Sequence, residues 1–153
     1  MTEAAEFGLD PYLAAALVRQ ESSFDPDARS RSGARGLMQL MPGTAREAAR
    51  SLGFEWSDQL LRVPDANLHM GMAHFAMLLR RYHGNTAVAL AAFNAGATPV
   101  DRWRAGAGSA DTGWFVERIP YMETRGYVRS VLRNWSIYRA LYPQNSVLDS
   151  SRN

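Results

Sequence analysis

The sequence contains no cysteine and no lysine; all 17 of its basic residues are arginine. The first absence excludes thiol nucleophiles, disulfides and thiolate metal sites. The second excludes Schiff-base chemistry, a lysine general base and a Walker A phosphate loop. Isoleucine is nearly missing too: Ile119 and Ile137 stand against 23 alanines, a balance that favours helix over strand. No apolar run approaches the ~20 residues of a membrane-spanning helix, so no spanning segment is expected. No block of like charge is long enough for a basic tail, and the formal net charge is only +2. Arginines and acids are interspersed, which argues for a salt-bridged surface and against a nucleic-acid partner. Residues Met1 to Asp10 include two Glu and one Asp, with neither the basic nor the apolar region of a leader. They fit a cytoplasmic protein, or a mature or excised domain whose export signal lies elsewhere.

What is present suits one domain. The chain has 153 residues, enough for a single core, and 46% of them are apolar. Four Trp, six Tyr and six Phe supply rings for a core or for a sugar-binding cleft, and composition alone does not separate the two.

Glycine and proline punctuate a helical pattern. Asp10-Pro11 supplies an N-cap and a first-turn proline for a helix over Tyr12 to Glu21. Pro42 opens a second helix that Gly53 closes after Leu52. Asp65 is expected to cap a long helix through Leu68, Met72, Phe75 and Leu79, stopped by Gly84. Asn85 caps the next, which ends at Gly96, and Thr98-Pro99 with Asp101 opens a short helix holding Trp103. Gly106 to Gly113 reads as a flexible loop. The last helix runs from about Pro120 to Tyr142, with Tyr121, Thr124, Val128, Val131, Trp135, Tyr138 and Tyr142 at helical spacing. Residues 144–153 read as a flexible tail. There is no internal repeat and no interdomain linker, so the fold class is mainly α, a single helical domain over residues 1–143.

Glu21 is the most informative side chain. Leu13, Leu17 and Glu21 share one face of their helix, so the carboxyl extends the apolar stripe of Leu13, Ala14, Leu17 and Val18. Desolvation there raises its pKa, as general-acid catalysis requires, and the negative end of the helix dipole acts the same way. A surface Glu in a frayed last turn, paired with an arginine, fits the same pattern.

Other positions are equally two-sided. Gln39 interrupts the apolar turn Leu37-Met38-Gln39-Leu40-Met41, either as an exposed helix-start group or as a cleft amide. Asn94 reads as a C-cap or a site residue. Glu123 and Tyr127 are four apart on one helix face, as a surface pair also would be. Met38, Met41, Met70, Met72 and Met77 read as core filler. His69 and His74 are five apart, off the helical i, i+4 register, so no metal site and no cofactor is expected. No serine lies in a Gly-x-Ser-x-Gly context. The sequon Asn134-Trp135-Ser136 falls in a predicted helix and is discounted.

An ordered set of motifs carries a resemblance. Glu21-Ser22 closes a helix and is followed by Ser30. Then comes Gly33-Ala34-Arg35-Gly36-Leu37-Met38-Gln39-Leu40-Met41-Pro42-Gly43-Thr44-Ala45, and later Asn67-Leu68 and Ala92-Phe93-Asn94-Ala95-Gly96. Last is Ile119-Pro120-Tyr121-Met122-Glu123-Thr124-Arg125-Gly126-Tyr127-Val128. From about Phe7 to Tyr142 the chain resembles the catalytic domain of the soluble lytic transglycosylases of Gram-negative bacteria, with a goose-lysozyme-like fold. The resemblance implies non-hydrolytic cleavage of the β-1,4 bond between N-acetylmuramic acid and N-acetylglucosamine in peptidoglycan, giving 1,6-anhydromuramyl products. It implies action in the periplasm or cell envelope, with glycan strands as partner. Glu21 occupies the position of the single catalytic acid and base. The cleft-lining positions fall on Ser30, Gln39, Met41, Phe93, Asn94, Glu123 and Tyr127, while Arg125 receives no direct role. The family usually has tyrosine where this chain has Phe93, and its large N-terminal superhelix has no counterpart here, as in a free-standing domain or a fragment. Two other functions remain open at this point. One is a hydrolytic muramidase that recruits Asp25 or Glu123 as a second carboxylate; the other is a weakly active or non-catalytic peptidoglycan-binding module.

Overall fold

Where the sequence places a proline at the first turn, a helix begins. The computed structural model describes residues 2–105 and 112–143, and among them are eight α-helices, one 3-10 helix and no strand. They are α1 (Thr2–Glu6), α2 (Pro11–Ser22), α3 (Pro42–Ser51), the 3-10 helix Asp58–Arg62, α4 (Pro64–Arg81), α5 (Thr86–Ala95), α6 (Ala97–Ala105), α7 (Thr112–Glu117) and α8 (Met122–Leu141).

The centre is α5. Ala87, Val88, Ala89, Leu90, Ala91 and Ala92 are all buried, which is the pattern of a helix covered on every side. Its small side chains let α4, α6, α7 and α8 approach it closely. Helix α8 then lies across both α5 and α2, so the last long helix ties the first to the centre. Phe75, Leu17, Met38, Met70 and Leu90 are fully enclosed and form the body of the core.

Local caps set the boundaries. Asp10 Oδ1 accepts from the backbone N–H groups of Tyr12 and Leu13 at 2.8 and 3.2 Å, and Pro11 sets the first helical φ of α2. Ser23 ends α2 in the left-handed region at φ +53°, returning its N–H to the Arg19 carbonyl, and Phe24 follows at φ +67°. The chain therefore turns sharply one residue past α2, which fixes Glu21 in the last helical turn.

Several expectations need correcting. Helix α4 starts at Pro64 with Val63 in the cap position, so Asp65 lies in the first turn and does not cap. Proline at the first helical position decides the start, because its missing N–H costs nothing there. Helix α6 begins at Ala97, with Pro99 its third residue, and α8 begins at Met122 with Tyr121 in the cap position, two residues past Pro120. Thr112 and Gly113 belong to α7 and not to a loop; residues 106–111 lie outside the described residues, as does the segment 144–153. Met38, Met70 and Met72 are core, whereas Met41 and Met77 are 43% and 42% exposed. Of the aromatic stripe on α8, Trp135 and Tyr138 pack half-buried on the core, while Tyr121 and Tyr142 are exposed. Helix α1 and the 3-10 helix were not anticipated; each has five residues, too few to show a period.

Candidate active site

Glu21 sits where the apolar face of α2 meets α8. Leu17 and Val18, one turn earlier, are buried, and the buried Tyr127 of α8 donates its hydroxyl to Glu21 Oε1. Burial raises the Glu21 carboxyl from 4.5 to about 7, against the smaller downward pull of the Tyr127 bond. Among the described residues, no neighbouring carboxylate contributes to that shift. The Tyr127 phenol is pushed well above its ordinary value, first by burial and then by the adjacent carboxylate, so it keeps its proton and stays a donor. The desolvated acid expected from the helix face is therefore present, and its partner is a tyrosine, not an arginine.

A second group of residues comes from the loop between α2 and α3. Here the backbone pairs with itself: Arg35 forms bridges with both Arg29 and Leu40. Ser30 Oγ accepts from the Ala34 N–H at 2.9 Å and shares a 2.9 Å hydrogen bond with Ser32 Oγ. Gln39 has left-handed backbone at φ +44°, and its amide nitrogen donates to the Ala28 and Gly36 carbonyls at 3.1 and 2.9 Å. Met41 is exposed, in the cap position of α3. The loop is thus built from its own hydrogen bonds.

A third group lies where α5 meets α8. The buried Thr124 hydroxyl donates to Asn94 Oδ1 at 2.8 Å, joining the end of α5 to the first turn of α8. Glu123, one residue earlier, is exposed in the first turn of α8. Arg125 turns back to donate Nε to the Ile119 carbonyl at 3.1 Å, bracing the turn into α8. The Phe93 ring stands edge-on to buried Phe75 at 5.8 Å and tilted beside His74 at 5.5 Å. Burial lowers the His74 pKa, with Glu47 opposing, so this neighbour is a neutral imidazole at pH 7. Asp25 is exposed and accepts from the Asp27 N–H at 2.9 Å within its own turn.

One residue without an assigned role turns out to be central. Asn67 is fully buried, and its side chain makes three hydrogen bonds to backbone groups, one of them in the Gly36-Leu37-Met38 turn. The signal for it was available: an asparagine four residues before Gly71 and three before Met70, on the core-facing side of α4.

Known proteins resemble this chain in both sequence and overall fold. The family model described as the transglycosylase SLT domain matches residues 2–115, and that of the soluble lytic transglycosylase helical domain matches residues 118–146. The second match covers α8, which nonetheless packs on α2 and α5 and brings Tyr127 to Glu21. The soluble lytic murein transglycosylase of Salmonella typhimurium is 39% identical over 141 residues, covering 90% of this chain and 22% of that protein. Among solved structures, an inactive Glu-to-Gln variant of lytic transglycosylase Slt from Pseudomonas aeruginosa superimposes with a TM-score of 0.86 at 42% identity, over 92% of this chain and 23% of that one. The 70 kDa soluble lytic transglycosylase of Escherichia coli gives 0.87 at 34% identity, over 93% and 24%. The chain thus spans less than a quarter of the length of the Salmonella relative. Its helical architecture is that of these structures. With the SLT model matched over most of its residues and relatives aligned along nearly its whole length, the chain belongs to the transglycosylase SLT domain family.

Proposed function

We propose that this chain is a lytic transglycosylase domain that cleaves the β-1,4 bond between N-acetylmuramic acid and N-acetylglucosamine of peptidoglycan without water. The observation that carries the proposal is the Glu21 carboxyl, lifted to about 7 by burial and held by the Tyr127 hydroxyl. Near neutral pH such a group is populated in both protonation states, so it serves in turn as acid and as base. Protonated Glu21 gives its proton to the glycosidic oxygen as the bond from that oxygen to C1 of the muramyl residue breaks. The muramyl N-acetyl oxygen stabilises the positive charge at C1. The Glu21 carboxylate then takes the proton of the C6 hydroxyl, whose oxygen bonds to C1 and closes the 1,6-anhydro ring. The catalyst ends the cycle protonated, as it began.

This route needs one carboxyl, where the usual glycosidases use two. No described carboxylate contributes to the Glu21 shift, which supports it, as does the exposed, turn-bound state of Asp25. Ser30, Gln39, Met41, Phe93, Asn94, Glu123 and Tyr127 line the sugar cleft in this reading, the first three from the loop and the rest from α5 and α8. The arginine-rich surface attracts the carboxylates of stem peptides and lactyl groups. The substrate sets the place of action, the periplasm or cell envelope; no described helix is long and apolar enough to cross a membrane. Mass spectrometry of purified peptidoglycan digested by the protein tests the reaction. Products with 1,6-anhydromuramyl ends are expected, whereas reducing ends carrying an added water would establish a hydrolytic muramidase. No soluble product at all would leave only a binding module.

A further inference from the structure

We propose that Asn67 is a positioning residue for the substrate loop, holding Gln39 and Met41 in register through the backbone of residues 35–38. On α4 its side chain is 0% exposed. Oδ1 accepts from the Met38 N–H at 2.8 Å, and Nδ2 donates to the carbonyls of Arg35 and Leu61, each at 3.0 Å. Two of the three bonds grip the loop, and the third grips the 3-10 helix beneath it. A buried amide satisfied this way fixes one geometry, because slipping the loop would strand its donors and acceptors away from water.

Two glycines show how tightly the loop is seated. Gly36 has φ +74°, and a Cβ there would lie 2.4 Å from Asn67 Nδ2 and 2.9 Å from the Leu61 carbonyl. Gly71, one turn beyond Asn67 on α4, would place a Cβ 2.5 Å from Met38 Cγ and 2.6 Å from Met38 Cβ. Asn67 therefore holds the main chain of the turn while Met38 seats on the bare backbone of Gly71. Gln39 follows directly, and its amide is bonded to the Gly36 carbonyl, so movement at residues 36–38 is passed to Gln39 and on to Met41. Glu21 and Tyr127 stand on other helices and make no bond to this clasp. Disturbing the clasp thus alters how a glycan strand is held and leaves the proton chemistry in place.

The inference rests on the proposed activity, and its test separates the two. Wild-type protein, Asn67→Asp and Gly71→Ala are compared on soluble, uncrosslinked glycan strands for kcat, KM and pH profile. Strand binding is measured by calorimetry in the same variants. Asn67→Asp keeps the shape but turns a donor that serves two carbonyls into an acceptor. Gly71→Ala displaces Met38 without removing a polar group, and its gain of about 1 kcal/mol in helix propensity offsets part of the overpacking. Each folded variant is expected to raise KM about tenfold, with kcat within about threefold and an unmoved alkaline limb. A purely structural role would lower the melting temperature and leave KM alone; that result, or a fall in kcat without a rise in KM, overturns the proposal. If wild type makes no product from the strands, the proposed reaction fails, and strand affinity in the calorimeter decides the role of Asn67 by itself.

Discussion

The proposed site has two halves built on opposite principles. Glu21 and Tyr127 are 106 residues apart in sequence and become a unit only because α2 and α8 pack together and exclude water. Ser30, Gln39 and Met41 fall within one loop whose geometry comes from short-range hydrogen bonds and a single buried asparagine. In the first half, reactivity follows from what is taken away, the hydration of a carboxyl. In the second, positioning follows from what is satisfied, the polar groups of a backbone with no helix or sheet of its own. Damage to the first half should therefore appear in proton transfer, and damage to the second in substrate affinity.

The largest expected effect breaks the first half outright. Glu21→Gln keeps the size and the apolar contacts of the side chain but removes its proton, and lytic activity on purified cell walls should fall about a thousandfold or more. Unimpaired lysis by the variant would end the assignment of Glu21 as acid. The same substitution reports the cost of desolvation. Below about 4.5 the carboxyl is protonated in both folded and unfolded chains, so its full contribution to stability is present. Between there and about 7 the unfolded chain ionises while the folded one retains its proton, so stability is lost as pH rises, and the loss then levels off. Integrated over that window, the loss is about 3 kcal/mol at pH 8. Denaturant melts should find Glu21→Gln more stable than wild type at pH 8, by up to that amount, with the gap closing at pH 4. A gap that fails to grow with pH would mean that the carboxyl is hydrated.

Tyr127→Phe sharpens the comparison by removing only the donor. The phenol bond favours the ionised carboxyl, so its loss moves the Glu21 pKa, and with it the alkaline limb of the activity profile, to higher pH. Activity at pH 7 should drop about tenfold through the lost hydrogen bond, with KM little changed. A profile that stays in place would mean that the hydroxyl does not act on the acid. Taken with Gly71→Ala, which is expected to move KM and spare the profile, this variant sets the two halves of the site apart in one kinetic experiment.

How much of this was legible follows from the same contrast. The exposure of Glu21 to the core, and hence its raised pKa, could be read from Leu13 and Leu17, because a helical period carries burial information along one element. Its tyrosine partner could not, since the contact depends on how α8 crosses α2, and nothing in either segment encodes the crossing. Within the loop, the glycines and the lone glutamine in an apolar turn were visible, but the bonds that consume the Gln39 amide were not. Asn67 is the instructive case: a polar residue in a core-facing register is a visible anomaly, and its meaning needed only the question of which backbone groups it would satisfy. The misplaced start of α4 has a simpler cause. Pro64 and Asp65 both signal a helix start, and a proline ring suited to the first helical position outweighs a capping carboxylate that would have to follow it.

The smallest expected effect lies at Phe93, where the family resemblance leads one to expect a tyrosine. Phe93 is half-buried, with its ring body fixed between Phe75 and His74, so Phe93→Tyr adds one hydroxyl without changing the packing that holds the ring. The neutral His74 beside it offers either a donor or an acceptor, so the new group need not remain unpaired. Stability should change by less than about 0.5 kcal/mol, and activity should be preserved or raised. Neither half of the site depends on this ring for the proton or for the loop register, which is why the effect is small. A steep loss of activity, with the melting temperature unchanged, would show that Phe93 packs against the bound glycan too closely for an added oxygen, and that the cleft has been reshaped around the phenylalanine.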